Sequence, residues 1–270
     1  MRIFAIKDET LPADRILAYL IYYEKAKAFY IELPDDADPW ETPPILSSFV
    51  KRGEHSINSY WSRLWVQQRI VPPDRQNIGN ILKENGLWEY DEFSLLVLAT
   101  GRCAQDDCYI EEIPSDQIPS LLLSRWQTKV EDVVPLEPPR LLVFFRNGET
   151  GIINVGSLAE AIPDCIPYCL NPERFNRVEV QPDGYGVMWN EKAVISDKQL
   201  YQNQQAVPLS LEDFRTFVQR RVISTVEACG ILECSRQNID DLVRRKKLRP
   251  IRTDAKNKLF LKSELLQRKK

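Results

Sequence analysis

The sequence predicts an α+β protein of several domains: a mixed α/β domain at 1–134, a small β-rich α/β domain at 140–208, and a basic helical end at 210–270. Three observations carry this. Extended apolar runs dominate the first third and the middle, while helical periods take over between and after them. The stretch Pro135–Pro139 (Pro-Leu-Glu-Pro-Pro) has the composition of a linker. Charge is divided sharply: Arg221–Lys270 holds 14 Lys+Arg and 6 Asp+Glu, a net of +8, whereas residues 1–220 hold 22 and 33, a net of −11.

In the first domain, Met1–Lys7 and Lys27–Leu33 read as strands, Leu11–Tyr22 mixes periods, and Asp35–Pro44 is an acidic loop. Ile57, Tyr60, Trp61, Leu64 and Trp65 fall on one helical face. Pro72-Pro73 ends that helix, Asp74 is placed to cap the next, and Asn85-Gly86 to close it. Arg75-Gln76-Asn77-Ile78 recurs as Arg236-Gln237-Asn238-Ile239. Residues 48–85 hold 6 Lys+Arg and 3 Asp+Glu. The echo raises the expectation of a candidate second DNA-binding helix carrying Arg75, Gln76 and Asn77. The alternative is an ordinary helical hairpin with Trp61 and Trp65 in its core.

In the middle segment, Leu141–Phe145 and Thr150–Val155 read as strands joined by a turn at Arg146-Asn147-Gly148-Glu149; Asn-Gly is the strongest short hairpin signal. A short helix is expected near Ser157–Ala161, strands at Phe175–Val180 and Gly186–Asn190, and a closing helical turn at Ile195–Leu200. On Phe144, Asn147, Gly148, Phe175, Val178, Trp189 and Leu200 this segment resembles a small bacterial α/β domain of unknown function, found in some relatives before a helix-turn-helix. The resemblance implies a fold and a domain order, not a chemistry.

Ser210 and Asp213 form a capping box for a joining helix with an apolar stripe of Leu211, Phe214, Phe217 and Val218. Ser224 and Glu227 form a second box. Val226, Ile231 and Leu232 serve a short first helix, Glu233-Cys234 turns, and Ser235 caps a second helix from Arg236 to about Lys246. Its inner side is Ile239, Leu242 and Val243. That leaves Arg236, Gln237, Asp240 and Arg244 outward, with Asn238 at the margin; Arg, Gln and Asn are the side chain types that fit base edges. Pro250 stops the helix. Ile251–Thr253 and Lys258–Leu261 read as a hairpin whose tip carries Lys256 and Lys258, and Ser263 is placed to cap a last helix.

This run resembles the small winged helix-turn-helix of phage excisionases and MerR-type regulators. The match rests on Ser224–Ala228, Cys234–Ile239, Arg244–Leu248 and the hairpin, about a fifth of the chain. The resemblance implies duplex DNA binding, with the second helix in the major groove and the wing near the backbone. The pair Asp240-Asp241 departs from the family, whose members more often carry an aromatic or polar residue there; these acids would repel phosphates, though a carboxylate can accept from cytosine N4. The expected DNA-binding residues are Ser235, Arg236, Gln237, Asn238, Arg244, Arg245, Lys246, Lys247, Arg252, Lys256 and Lys258.

Enzyme chemistry finds little footing. A single histidine, His55, removes most Ser-His-Asp and Cys-His arrangements. Neither a Walker loop nor Gly-x-Gly-x-x-Gly occurs, and Gly184-Tyr185-Gly186 is too short for a nucleotide loop. Asp106-Asp107 and Glu111-Glu112 read as solvated acidic loops. The six cysteines, Cys103/Cys108, Cys165/Cys169 and Cys229/Cys234, lack zinc spacing and read as small buried hydrophobes in a reducing compartment; no cofactor or metal is expected. The apolar runs are too short to span a bilayer, and the start lacks an apolar signal region, so a cytoplasmic location is expected.

The leading expectation is a sequence-specific double-stranded DNA-binding protein, a bacterial or phage transcriptional regulator acting as a homodimer. The alternative is a protein-interaction module, an antitoxin or counter-defence inhibitor, whose acidic body engages a basic protein and whose basic end regulates its own operon. A recombination-directionality factor is a third reading.

Overall fold

The computed structural model describes residues 1–158, 161–253, 258–262 and 265. They are mixed α+β with antiparallel sheets, in two compact units: 1–147 with 153–204, and 148–152 with 205–270. None of the described helices is long and apolar enough to cross a membrane.

The first unit is built on β1 (Arg2–Asp8), β2 (Ala18–Tyr23) and β3 (Ala28–Glu32). Helix α1 (Pro44–Lys51) follows, then β4 (Ser56–Ile57), α2 (Ser59–Gln67), α3 (Ile78–Glu84), α4 (Glu92–Leu98) and β5 (Cys108–Ile113). The five strands form one antiparallel sheet in the order β4-β3-β2-β1-β5. Successive side chains point to opposite faces, and both faces are covered. Phe4, Ile6, Leu20, Tyr22, Phe29 and Ile31 pack with Leu46, Phe49, Trp65, Val66 and Leu95 of the helices. Ile3, Tyr19 and Ile21 pack on the other face against Leu122 of α5 (Ser120–Trp126). This explains the mixed period at Leu11–Tyr22: a strand buried on both sides has no polar face to alternate with. Glu111 and Glu112 are not in a solvated loop. They lie on β5, where Glu111 pairs with Lys7 at 2.6 Å and Glu112 with Arg2. Asp106 holds the buried Arg69 at 2.5 Å.

Strands β6 (Val130–Pro135) and β7 (Arg140–Phe145) pair antiparallel, with Val134 opposite Leu142. The proline-rich stretch expected as a linker is therefore the connection of a hairpin. Strand β8 (Thr150–Asn154) follows, then the short helices α6 (Ile166–Cys169) and α7 (Pro172–Phe175), β9 (Glu179–Val180), β10 (Gly186–Met188), β11 (Val194–Ser196) and α8 (Asp197–Gln202). The strand expected at Phe175–Val180 shrinks to two residues. Asn171 caps α7 and Pro172 occupies its first turn, so Phe175 is helical. The order β11-β10-β9 makes a small sheet over a core of Leu141, Val143, Phe145, Phe175, Val187 and Leu200. Gly184 has φ +78° and Gly186 φ +148°. A Cβ on Gly184 would run into the backbone of Val130, and one on Gly186 into the backbone of Ile195. Only glycine allows so close an approach.

A buried ionic and aromatic group ties residues 1–33 to residues 125–197 within this unit. Glu32 is fully buried; it accepts from Arg125 Nη1 at 3.0 Å, Ser56 Oγ at 2.7 Å and Lys129 Nζ at 3.4 Å. Lys129, also fully buried, reaches Asp197 Oδ2 at 3.0 Å. Its ammonium lies 3.5 Å from the ring centroid of Tyr185, which stacks on Tyr30 at 3.7 Å. Tyr23 donates to Asp183 at 2.5 Å, and Arg146 pairs with the same carboxylate. Each buried charge has an opposite partner, the condition on which burial is tolerated.

In the second unit, Thr150–Ile152 of β8 pairs with β12 (Gln205–Val207). Then come α9 (Leu211–Arg221), β13 (Val222–Ser224), α10 (Thr225–Leu232), α11 (Arg236–Arg244), β14 (Arg252–Thr253) and β15 (Lys258–Leu261). Strand β15 is central in the antiparallel order β13-β15-β14. Ile223, Ala228, Ile239, Leu248, Phe260 and Leu265 form the core.

Candidate nucleic-acid interface

The second unit is assembled by local rules that the sequence carries. Ser210 and Asp213 cap α9, and Ser224 and Glu227 cap α10, in reciprocal boxes. In the second box the Ser224 amide donates to Glu227 Oε2 at 2.9 Å and the Glu227 amide donates back to Ser224 Oγ at 3.4 Å. The first of these bonds, then the serine hydroxyl, holds the Glu227 carboxyl below its ordinary range. Helix α10 ends at Glu233, whose φ is +51°. The Cys234 amide then donates to the Cys229 carbonyl at 3.1 Å. This is the six-to-one closure of a helix C-terminus, which brings together the two side chains flanking it. Cys229 and Cys234 are those side chains, both packed on the core of this unit, and burial raises the Cys234 thiol. All six cysteines are free thiols.

Ser235 begins α11, and its oxygen accepts from the Asn238 amide at 3.3 Å. Ile239 is fully buried, and Leu242 and Val243 are partly buried against the same core. This inward side fixes the outward one: Arg236, Gln237 and Asn238 are exposed on the first turn, Arg244 on the last. Helix α11 ends where Lys246 takes φ +54°, short of the expected continuation to Lys246. Leu248 is buried, and Arg245, Lys246 and Lys247 remain exposed beside it. Arg252 is exposed on β14, and the Thr225 hydroxyl donates to the Lys258 carbonyl at 3.1 Å, fastening α10 to β15. Lys256 and Ser263 lie outside the described residues.

The pair Asp240-Asp241 has partners that the sequence does not announce. Asp240 takes the Lys258 ammonium, and Asp241 pairs with Arg244 and, at 3.9 Å, with Arg245. The acids thus oppose three of the expected DNA-binding cations. Exposed pairs of this kind contribute little to stability.

The expected second helix is corrected. Arg75, Gln76 and Asn77 lie in the turn before α3, not on its first turn. Asp74 does not cap α3; Asn77 stands at the cap position without a side-chain cap bond, and Arg75 Nε donates to its own neighbour Asn77 Oδ1 at 3.1 Å. The same four residues therefore start a helix after Ser235 and precede one after Asp74. No protein-family model, no curated protein and no solved structure matches this chain.

Proposed function

We propose that the protein binds double-stranded DNA sequence-specifically and acts as a transcriptional regulator of bacterial or phage type. The observation that carries this reading is the first turn of α11. There Arg236, Gln237 and Asn238 stand exposed on a short capped helix that is packed on α10 and followed by a hairpin. In this reading the unit is a winged helix-turn-helix of excisionase or MerR type, with α11 in the major groove. Arg236, Gln237, Asn238 and Arg244 read bases. Ser235, Arg245, Lys246, Lys247, Arg252, Lys256 and Lys258 serve the phosphates, which set register and salt dependence. Phe217 and Val218 of α9 are 49% and 38% exposed, which supports a homodimer.

The test is selection of bound duplexes from a random library with the full chain at near-physiological salt. An enriched palindrome or direct repeat supports a dimeric regulator; no enrichment removes the reading.

A second reading, a protein-interaction module whose basic end regulates its own operon, is favoured by one observation. Trp40 and Trp88 of the acidic first unit are 88% and 102% exposed, and exposed tryptophans are common anchors of protein interfaces. A stoichiometric basic partner in a pulldown from the source cell supports it.

A further inference from the structure

The first unit contains a cleft of about 500 Å³ whose wall includes Tyr30, Phe49, His55, Tyr185 and Asp197. Its size suits a small organic molecule. The base of the cleft carries the chemistry. Asp197 is 5% exposed, and its carboxylate shares the Lys129 ammonium with Glu32. Glu32 also has Arg125, but Arg125 is divided in turn between Glu32 and Asp35. Three carboxylates therefore share two cations, and Asp197 is the one that faces the cleft. The Tyr30 hydroxyl is a separate observation. It is fully buried on the same wall and has no hydrogen-bond partner among the described residues. A buried hydroxyl without a partner costs free energy. Tyr30, Phe49 and Tyr185 give the wall an aromatic part, and aromatic rings favour cations; Lys192 and Lys198 also line the cleft, opposed in number by Glu54 and Glu191.

We propose that this cleft binds a small organic cation, an amine or guanidine whose charged head pairs with Asp197 and whose carbon stem lies along Phe49 and the two tyrosines. Independently of that geometry, burial raises the Asp197 carboxyl above the ordinary aspartate range despite Lys129. Only the last step rests on the DNA-binding reading: an occupied cleft would make this unit the sensor of the regulator.

Putrescine and agmatine are the probes, with 1-butanol as the uncharged control, on the full chain at constant ionic strength. The expected result is saturable heat of binding and a higher Tm with the amines and not with butanol. Asp197→Asn weakens amine binding by about tenfold or more, as loss of a buried ionic partner does. Because Asp197 is buried and that variant also alters the packing, a second variant is used. Gln202→Trp, at an exposed position on the cleft wall, obstructs the cleft and should abolish the Tm rise while leaving the unliganded Tm unchanged. Absence of binding by either amine in the wild type overturns the proposal. So does equal binding by Gln202→Trp, which would mean diffuse attraction to an acidic surface. Duplex selection is a separate experiment, so failure of DNA binding leaves the cleft result standing.

Discussion

Asp240 of α11 takes the ammonium of Lys258 of β15. One ion pair thus links the exposed face of the helix proposed to read bases with the hairpin proposed to grip phosphate. It holds the lysine in a neutral pair until a phosphate competes for it. Asp240→Ala should therefore raise affinity for every duplex and steepen the dependence of log K on log salt by about one, the contribution of one added phosphate contact. Titrations of operator and random duplexes over a range of salt check this. An unchanged slope would mean that Lys258 does not meet DNA.

Arg236 and Gln237 make the opposite kind of prediction. Their replacement by alanine should cost about 1–3 kcal/mol on the selected site and relax preference at one base position. Lys246→Ala should weaken selected and random duplexes alike. Equal losses for Arg236→Ala on both duplexes would remove the base-reading role and leave a general phosphate contact.

What the sequence made legible was whatever is decided within a few residues. Ser210 with Asp213, Ser224 with Glu227, and Ser235 ahead of Ile239 mark helix starts because a cap bonds three residues away. The β14–β15 pairing was legible for the same local reason. In the first unit β1, β3, β7 and α2 were legible as elements, but their long-range pairing was not. Strand β5 pairs with β1 more than a hundred residues earlier, so Glu111 and Glu112 find their cations on a strand that no local period identifies. Lys129 is an ordinary lysine in sequence, and its burial follows only from the meeting of Glu32, Tyr185 and Asp197. The repeated Arg-Gln-Asn-Ile misled for the converse reason: identical side chains adopt different backbones when the residue before them caps in one copy and not in the other.

Lys129→Met should destabilise the first unit by about 3–5 kcal/mol, the usual cost of removing one partner from a buried ionic group. All six tryptophans lie in that unit, so their fluorescence during urea unfolding reports on it alone. The loss should shrink in acid. Burial raises the Asp197 carboxyl in the folded chain, so its contribution to stability is full below the unfolded aspartate range and is lost as pH rises through the raised folded value. Without Lys129 the folded value climbs further and the protonated acid needs no cation. Asp197→Asn should remove this part of the pH dependence. A destabilisation of Lys129→Met that is constant from acid to neutral pH would mean that Asp197 does not carry the uncompensated charge.

The α10 box supplies a pH dependence of opposite sign in the second unit. The Ser224 amide, then its hydroxyl, depresses the Glu227 carboxyl. Its contribution is therefore present above the unfolded glutamate range and is lost as pH falls through the depressed value. Ser224→Ala removes the reciprocal cap and should cost about 1 kcal/mol. Hydrogen exchange of the α10 amides is the measurement, because it resolves this helix from the rest of the chain. In the wild type, protection of α10 should fall on acidification below the glutamate range, after correction for intrinsic exchange. In Ser224→Ala and Glu227→Gln that acid-dependent loss should be reduced. Since α10 and β13 support the packing of α11, the serine variant should also bind duplexes less tightly without altering which base is preferred. A changed preference would place Ser224 or α10 itself at the bases and transfer part of the reading from α11 to its neighbour.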